Sequence, residues 1–338
     1  MNKMTFAAGA AIMAMAASLS ACSSDDTTQP AGKNNDKVVR VEAGVEGLAT
    51  RGNYSPGQTP SEFSITIHNP KDFLYDPALR PYTYNNVSVT KSGDTWATAQ
   101  AMLWANYSDP VDIFAYAPRN NEYNMPIYYT QDLPVSVQAD QTAIGPDDRS
   151  QDFLVYKRTD FVPQKDLTSR GTVNVQFTHA LCNFNLQVEL GTEFDYPTAT
   201  DANSISDLAI GGTVISGHCD FVIPAVPTVS VVEGNATTPV KPYMSGFSPA
   251  EGGEAGEITN AVAEYECILL PQTVEAEEFY VTFNLNGRNF MWRAPREVKL
   301  EANTSYTLKL RAGLDRVVAG EISAKPWTEE NLPDMETE

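Results

Sequence analysis

The chain has little of what catalytic sequences are built around. Of its 338 residues only three are histidine: His68, His179 and His218. No two of them stand at metal-ligand spacing, and there is no H-E-x-x-H. The G-x-S-x-G elbow, the P-loop and the Rossmann glycine pattern are absent as well. The acidic stretch GPDDRSQD, residues 145–152, lacks the ligand spacing of an EF-hand and reads as a solvated loop. Paired carboxylates of the glycosidase kind leave no mark in local sequence, but nothing else points to hydrolysis. The expectation is a chain with no catalytic residues, no metal and no cofactor.

Positive charge is scarce too. Lysine and arginine number 23 against 43 aspartates and glutamates, a formal net charge of −20. Such a chain is repelled by nucleic acid and by anionic headgroups, so no nucleic-acid partner is expected. Cysteines number four, too few for a disulfide framework. Cys182 and Cys267 sit in apolar strand patterns and read as buried free thiols. The apolar run near the N-terminus, Met4 to Met15, is shorter than the roughly 20 residues of a membrane-spanning helix, and no later run is longer.

That run has a different use. Lys3 supplies a positive start, the run itself is rich in alanine, and it closes on Leu19-Ser20-Ala21-Cys22. This is the pattern of a bacterial signal peptide ending in a lipobox, residues 1–21, with Cys22 as the lipidated residue. A small residue before Cys22 lets the backbone fit the peptidase, and the Cys22 thiol takes the diacylglycerol. The alternative is an ordinary signal peptide with an incidental cysteine. Residues 22–36 hold almost no apolar side chain and read as a disordered tether. Ser23-Ser24-Asp25-Asp26, acidic just behind the lipid, resembles the surface-export signal of Bacteroidetes lipoproteins. The expected location is therefore the outer membrane, facing out.

Beyond the tether the dominant signal is alternation. In KVVRVEAGVEGLATRG, residues 37–52, Val39, Val41, Ala43 and Val45 fall on one side and Arg40, Glu42, Gly44 and Glu46 on the other. That describes a half-buried strand. It is followed at once by Thr50-Arg51-Gly52, a polar stretch open to a trypsin-like protease. Alternation recurs at 63–67, 111–115, 173–177, 182–190, 279–285 and 304–311. Asn286-Gly287 joins two such runs and is a strong type I′ hairpin signal. The Ala-rich stretch 95–105 is read as strand because Trp96 and Trp104 frame polar residues and no helix cap precedes them. Many short strands with frequent turns indicate all-β sandwich architecture. Length suits two domains, and the polar segment QKDLTSRG, residues 164–171, places the division near 170. The domains are then 37–170 and 171–338.

In order along the chain, TRG after the first strand, Trp96 and Trp104, DIFAYAP (112–118), DFLVYK (152–157), VQFTHALCNFNLQV (175–188), LLPQT (269–273), NTSYTLKLRAGL (303–314) and EISAKPW (321–327) resemble the fimbrillin family of Bacteroidales, the subunits of type V pili. The resemblance implies two tandem transthyretin-like β-sandwich domains and a structural role in a polymer of pilus subunits. It also implies assembly by strand exchange. An Arg-specific, trypsin-like protease cuts after an arginine behind the first strand, that strand leaves, and a strand from the next subunit fills the groove. Mapped here, Arg51 and Gly52 flank the cut, and Val39, Val41 and Val45 belong to the displaced strand. The donor is expected within 315–327, a segment that also reads as the last strand of its own domain. If Thr50-Arg51-Gly52 is only a turn, the chain is instead a permanently lipid-anchored subunit. A third reading is a surface lipoprotein or tip adhesin that binds glycan or host surfaces through aromatics such as Tyr123, Tyr128 and Tyr129.

Overall fold

The computed structural model describes residues 36–45, 59–71, 82–144, 150–190, 204–232, 234–252, 258–313, 317–319 and 322–327. The fold is all-β, with two sandwich domains in tandem. The first half holds β1 (Val41–Val45), β2 (Glu62–His68), β3 (Tyr84–Ser92), β4 (Thr95–Thr98), β5 (Val111–Ala117), β6 (Leu133–Ser136), β7 (Leu154–Phe161) and β8 (Val173–His179). All but β6 form one seven-stranded sheet in the order β1-β8-β7-β5-β2-β3-β4. It curls around an apolar cluster that includes Phe63, Ile65, Ile113, Val175 and Phe177. The curl brings the two ends of the sheet into contact, β1 against β4.

The second half holds β9 (Cys182–Leu190), β10 (Ile205–Gly211), β11 (Ser216–Asp220), β12 (Thr228–Val231), β13 (Tyr243–Ser248), β14 (Glu251–Gly252), β15 (Ile258–Thr259), β16 (Val262–Leu269), β17 (Gln272–Val274), β18 (Tyr280–Leu285), β19 (Arg288–Arg293), β20 (Val298–Leu300), β21 (Thr304–Ala312), β22 (Val317–Ala319) and β23 (Ser323–Pro326). One sheet runs β13-β16-β9-β21-β22, with β23 also on β21, and it faces the sheet β10-β18-β19. Short pairs β14–β15 and β17–β20 complete the domain. Between the faces lie Phe184, Leu186, Phe279, Phe283 and Leu308, all buried. Asn286 and Gly287 turn β18 into β19 with φ of 52° and 78°. A type I′ turn needs both positive, which is why Asn-Gly stands there.

Two features depart from the sequence expectations. The polar segment 164–171 lies inside the first domain's sheet. It carries the short helix α1 (Pro163–Asp166) and a turn into β8, which then pairs with β1 and β7. The expected division at 170 therefore falls within a sheet, because Val173, Val175 and Phe177 are apolar at every second position and fill the first core. The stretch 95–105 is strand only as far as Thr98; Leu103 makes an isolated bridge further on.

The halves interleave. β6 pairs with β11, and β11 with β12, in a sheet of its own. This sheet turns Leu133, Val135, Cys219 and Val229 onto the outer face of the first sheet, where Phe114, Tyr116 and Val155 wait. Residues from the second half thus cover a surface of the first.

Candidate assembly site

The site grows from the alternation in residues 37–45. A strand of this pattern needs a core on one side and backbone partners at its edges. β1 has both. Val39, Val41 and Val45 are all buried, packed with Met102, Trp104, Val173, Val175 and Phe177 in the first core. Ala43 packs against the same cluster from a half-buried position.

The strand is held along its length by two different neighbours. Its C-terminal part runs parallel to β8, Val41 opposite Val173 through Val45 opposite Phe177. The Val173 N–H donates to the Arg40 carbonyl at 2.8 Å. Its N-terminal part runs antiparallel to residues 102–104. The Val39 N–H donates to the Met102 carbonyl at 2.9 Å, and the Trp104 N–H donates to the Lys37 carbonyl at 2.8 Å. The segment thus bridges from β8 to the chain just beyond β4 and closes the curled sheet.

Toward solvent the strand is polar. Arg170 pairs with Glu42, and Arg40 pairs with Asp36. The Arg40 guanidinium beside Asp36 holds its carboxyl below the usual carboxylate range. Gly44 faces Gln176, whose amide would sit 3.0 Å from an added Cβ. The terminal amide is a flexible neighbour, so this position discourages a side chain without forbidding one.

Arg51, Gly52 and Cys22 lie outside the described residues. The residues the structure brings around the first strand include two that sequence reasoning did not assign to it, Met102 and Trp104. Their signal was muffled, since both fall in a stretch with no clean alternation.

The segment 315–327, the expected donor, is folded onto its own domain where it is described. β22 and β23 both pair antiparallel with β21. The next residue, Trp327, is 1% exposed, and its ring stacks on His179 with centroids 3.9 Å apart. His179 Nδ1 lies 3.0 Å from Asp152 Oδ1, both side chains fully buried. Residues 145–149 lie outside the described residues, but buried Asp152 and Gln151 correct the reading of the end of 145–152 as solvated loop. The loop ends in the junction between the domains, where the carboxylate faces His179.

Other candidate residues sort by burial. Cys182, Cys219 and Cys267 are buried free thiols. Burial pushes the Cys182 thiol up to about 12 and raises the other two. All three stay protonated and unreactive at neutral pH. Tyr128 is buried and stacked on His68, and the Tyr123 hydroxyl is bonded with Thr130 and Asp132. Of the three tyrosines considered for sugar stacking, Tyr129 is the exposed one, at 54%. Among the described residues no cluster of His, Cys, Asp or Glu has the makings of a metal site.

A family model described as fimbrillin-like matches residues 62–327. No curated protein matches the sequence. Among solved structures, the chain is similar to a putative cell adhesion protein from Bacteroides uniformis, at 16% identity and a TM-score of 0.56, covering 88% of this chain and 100% of that one. It is similar to another from Bacteroides ovatus, at 14% identity and a TM-score of 0.57, covering 87% and 99%. The tip fimbrial protein Mfa3 from Porphyromonas gingivalis, solved with a C-terminal truncation, aligns at 9% identity with a TM-score of 0.47, covering 85% and 99%.

Proposed function

Because the chain belongs to the fimbrillin-like family, we propose that it is a pilus subunit that polymerises by protease-triggered strand exchange after export as a lipoprotein acylated at Cys22. Family membership makes it a structural pilus or adhesin subunit of the cell surface, one that assembles with other subunits. The route of assembly is the proposal.

The observation that carries it is the first strand. It closes the curled sheet, with Val39, Val41 and Val45 buried. Three buried valines contribute about 5 kcal/mol at roughly 1.5–2 kcal/mol each. A cut after Arg51 frees this strand from the body of the domain. Its departure leaves an apolar groove, and the Met102 carbonyl and Val173 N–H lose their partners. Such a groove binds an incoming strand by β-augmentation, with the ladder giving affinity and the buried positions giving register. The incoming strand is assigned to the 315–327 segment of another subunit. To serve, that segment leaves β21 and withdraws Trp327 from the junction.

The test is limited trypsin digestion of the purified full chain, with N-terminal sequencing of the product. Cleavage after Arg51 precedes attack on the body, and the product forms oligomers that resist mild denaturant. Arg51→Ala stays monomeric under the same treatment. If Arg51→Ala polymerises like the native chain, strand exchange through this site is wrong. A native chain that is never cut at Arg51 in cells and stays lipidated at Cys22 is an anchor subunit instead. Cys22→Ala checks the export step, with loss of membrane attachment as the expected outcome.

A further inference from the structure

The turn between β11 and β12 is an exposed apolar stretch. Its sequence, Phe221-Val222-Ile223-Pro224-Ala225-Val226-Pro227, contains no side chain that can hydrogen-bond. Phe221 roots it in the junction core, edge-on to Tyr116 and Phe114. Beyond that root Val222, Ile223 and Val226 are exposed, Ile223 at 76%.

The tip is also held still. Asp220 Oδ1 accepts from the Val222 and Ile223 N–H groups at 2.7 and 3.2 Å. Lys157 Nζ, from β7, donates to the carbonyls of Val222 and Pro224, both at 2.8 Å. Its ammonium also lies over the Phe114 ring, 5.9 Å from the centroid. Pro224 and Pro227 restrict the backbone further. The Phe221 N–H donates to the carbonyl of Thr130, the residue after exposed Tyr129, at 2.9 Å. An apolar loop tied down by a lysine, an aspartate and two prolines gives up little entropy on docking.

We infer that this prong docks on a neighbouring copy of the same chain and fixes the angle between successive subunits. The inference rests on the polymer reading above. Size argues for that occupant. The exposed side chains of Val222, Ile223, Ala225 and Val226 present on the order of 300 Å² of apolar surface, the scale of a functional patch. A stable complex with a freely diffusing partner buries about 800 Å² on each side. The prong is too small for that, but sufficient between copies already linked, where the second contact forms at an effective concentration in the millimolar range. Chemistry argues against a sugar and an anionic membrane. The prong has no polar side chain for a sugar, and a net charge of −20 opposes an anionic membrane.

The experiment links two full chains in tandem through a long flexible linker, so that strand exchange is not needed. A photo-crosslinking amino acid at position 223 of one copy reports on contact. Crosslinks to the other copy are expected, located by peptide mapping. The double variant Ile223→Asp/Val226→Asp keeps its fold, since both side chains are in water, and a crosslinker at Tyr129 then loses inter-copy yield at least fivefold. Lys157→Met leaves the apolar side chains in place but frees the tip, and loses yield severalfold. Absence of inter-copy crosslinks in the tandem, or equal yield from the double variant, overturns the proposal. So does binding to neutral phosphatidylcholine vesicles that depends on Ile223 and Val226, which would make the prong a lipid anchor. Crosslinking in the tandem together with failure of the trypsin-cut chain to polymerise leaves the prong contact standing and removes strand exchange.

Discussion

β1 and β23 each complete a sheet that other strands build, and they are held by opposite means. β1 and the residues just before it turn Val39, Val41 and Val45 into a core and show charged groups to solvent. β23 turns nothing inward: all four residues of Ser323–Pro326 are exposed. Its hold is the ladder to β21 and the residue after it, Trp327, wedged against His179. Removing β1 leaves a groove whose apolar spacing dictates what replaces it. Removing β23 leaves the polar edge of Thr304–Thr307 and one aromatic-sized gap. The first vacancy is selective along its length, the second at a single point.

The sharpest way to break this comparison is at Trp327. Trp327→Ala should destabilise the chain by about 3–5 kcal/mol, the range for emptying a buried large aromatic site. The loss should appear in thermal unfolding and as faster amide exchange in β23 and along its partner β21. If exchange there is unchanged, the ladder alone holds β23.

A smaller contrast sets the strands side by side. Val41→Ala removes two buried methyl groups and should cost about 2 kcal/mol in denaturant unfolding. Ser323→Ala and Lys325→Ala should each stay within about 0.5 kcal/mol. Comparable effects at the two ends would erase the distinction.

The smallest effect concerns acid. Asp36 has its folded pKa depressed by Arg40. Its contribution is therefore present above the unfolded value of about 3.9 and is lost as pH falls through the folded value. Asp36 also accepts from the Val38 N–H at 3.2 Å. Protonation should loosen the entry to β1 and leave β23 unaffected. Amide exchange at Val38, corrected for its intrinsic pH dependence, should quicken slightly in acid. Asp36→Asn should show the quicker rate already at neutral pH.

How much of this was legible depends on distance along the chain. Alternation names the strands because burial of one face is a local pattern: 182–190 and 304–311 lie in β-structure, and 279–285 starts one residue ahead of its strand. The Asn286-Gly287 turn is legible for the same reason. Pairing is not. Nothing local says that Val41 lies beside Val173, or that β9 and β21 run parallel through nine residues. The polar stretch 164–171 looks like a boundary because a turn inside a domain is as polar as a linker between two. Asp152 looks solvated because its partner, His179, is 27 residues away. At the candidate site, Val39, Val41 and Val45 could be read from their spacing. Met102 and Trp104, which hold the other edge of their segment, could not.

The interleaving of the halves has a consequence for the order in which the molecule forms. Phe114, Tyr116 and Val155 belong to strands made early in synthesis. Their cover, β11 and β12, ends at residue 231, and Trp327 joins the same cluster almost a hundred residues later. Until those segments emerge, an apolar face of the first sheet stays wet, so the first domain cannot finish ahead of the second. Contacts this remote close slowly, and they leave a sticky intermediate exposed while they do. A chain of this design must be kept from its neighbours until its last strand is in place, and the first domain then completes its surface only when the second does.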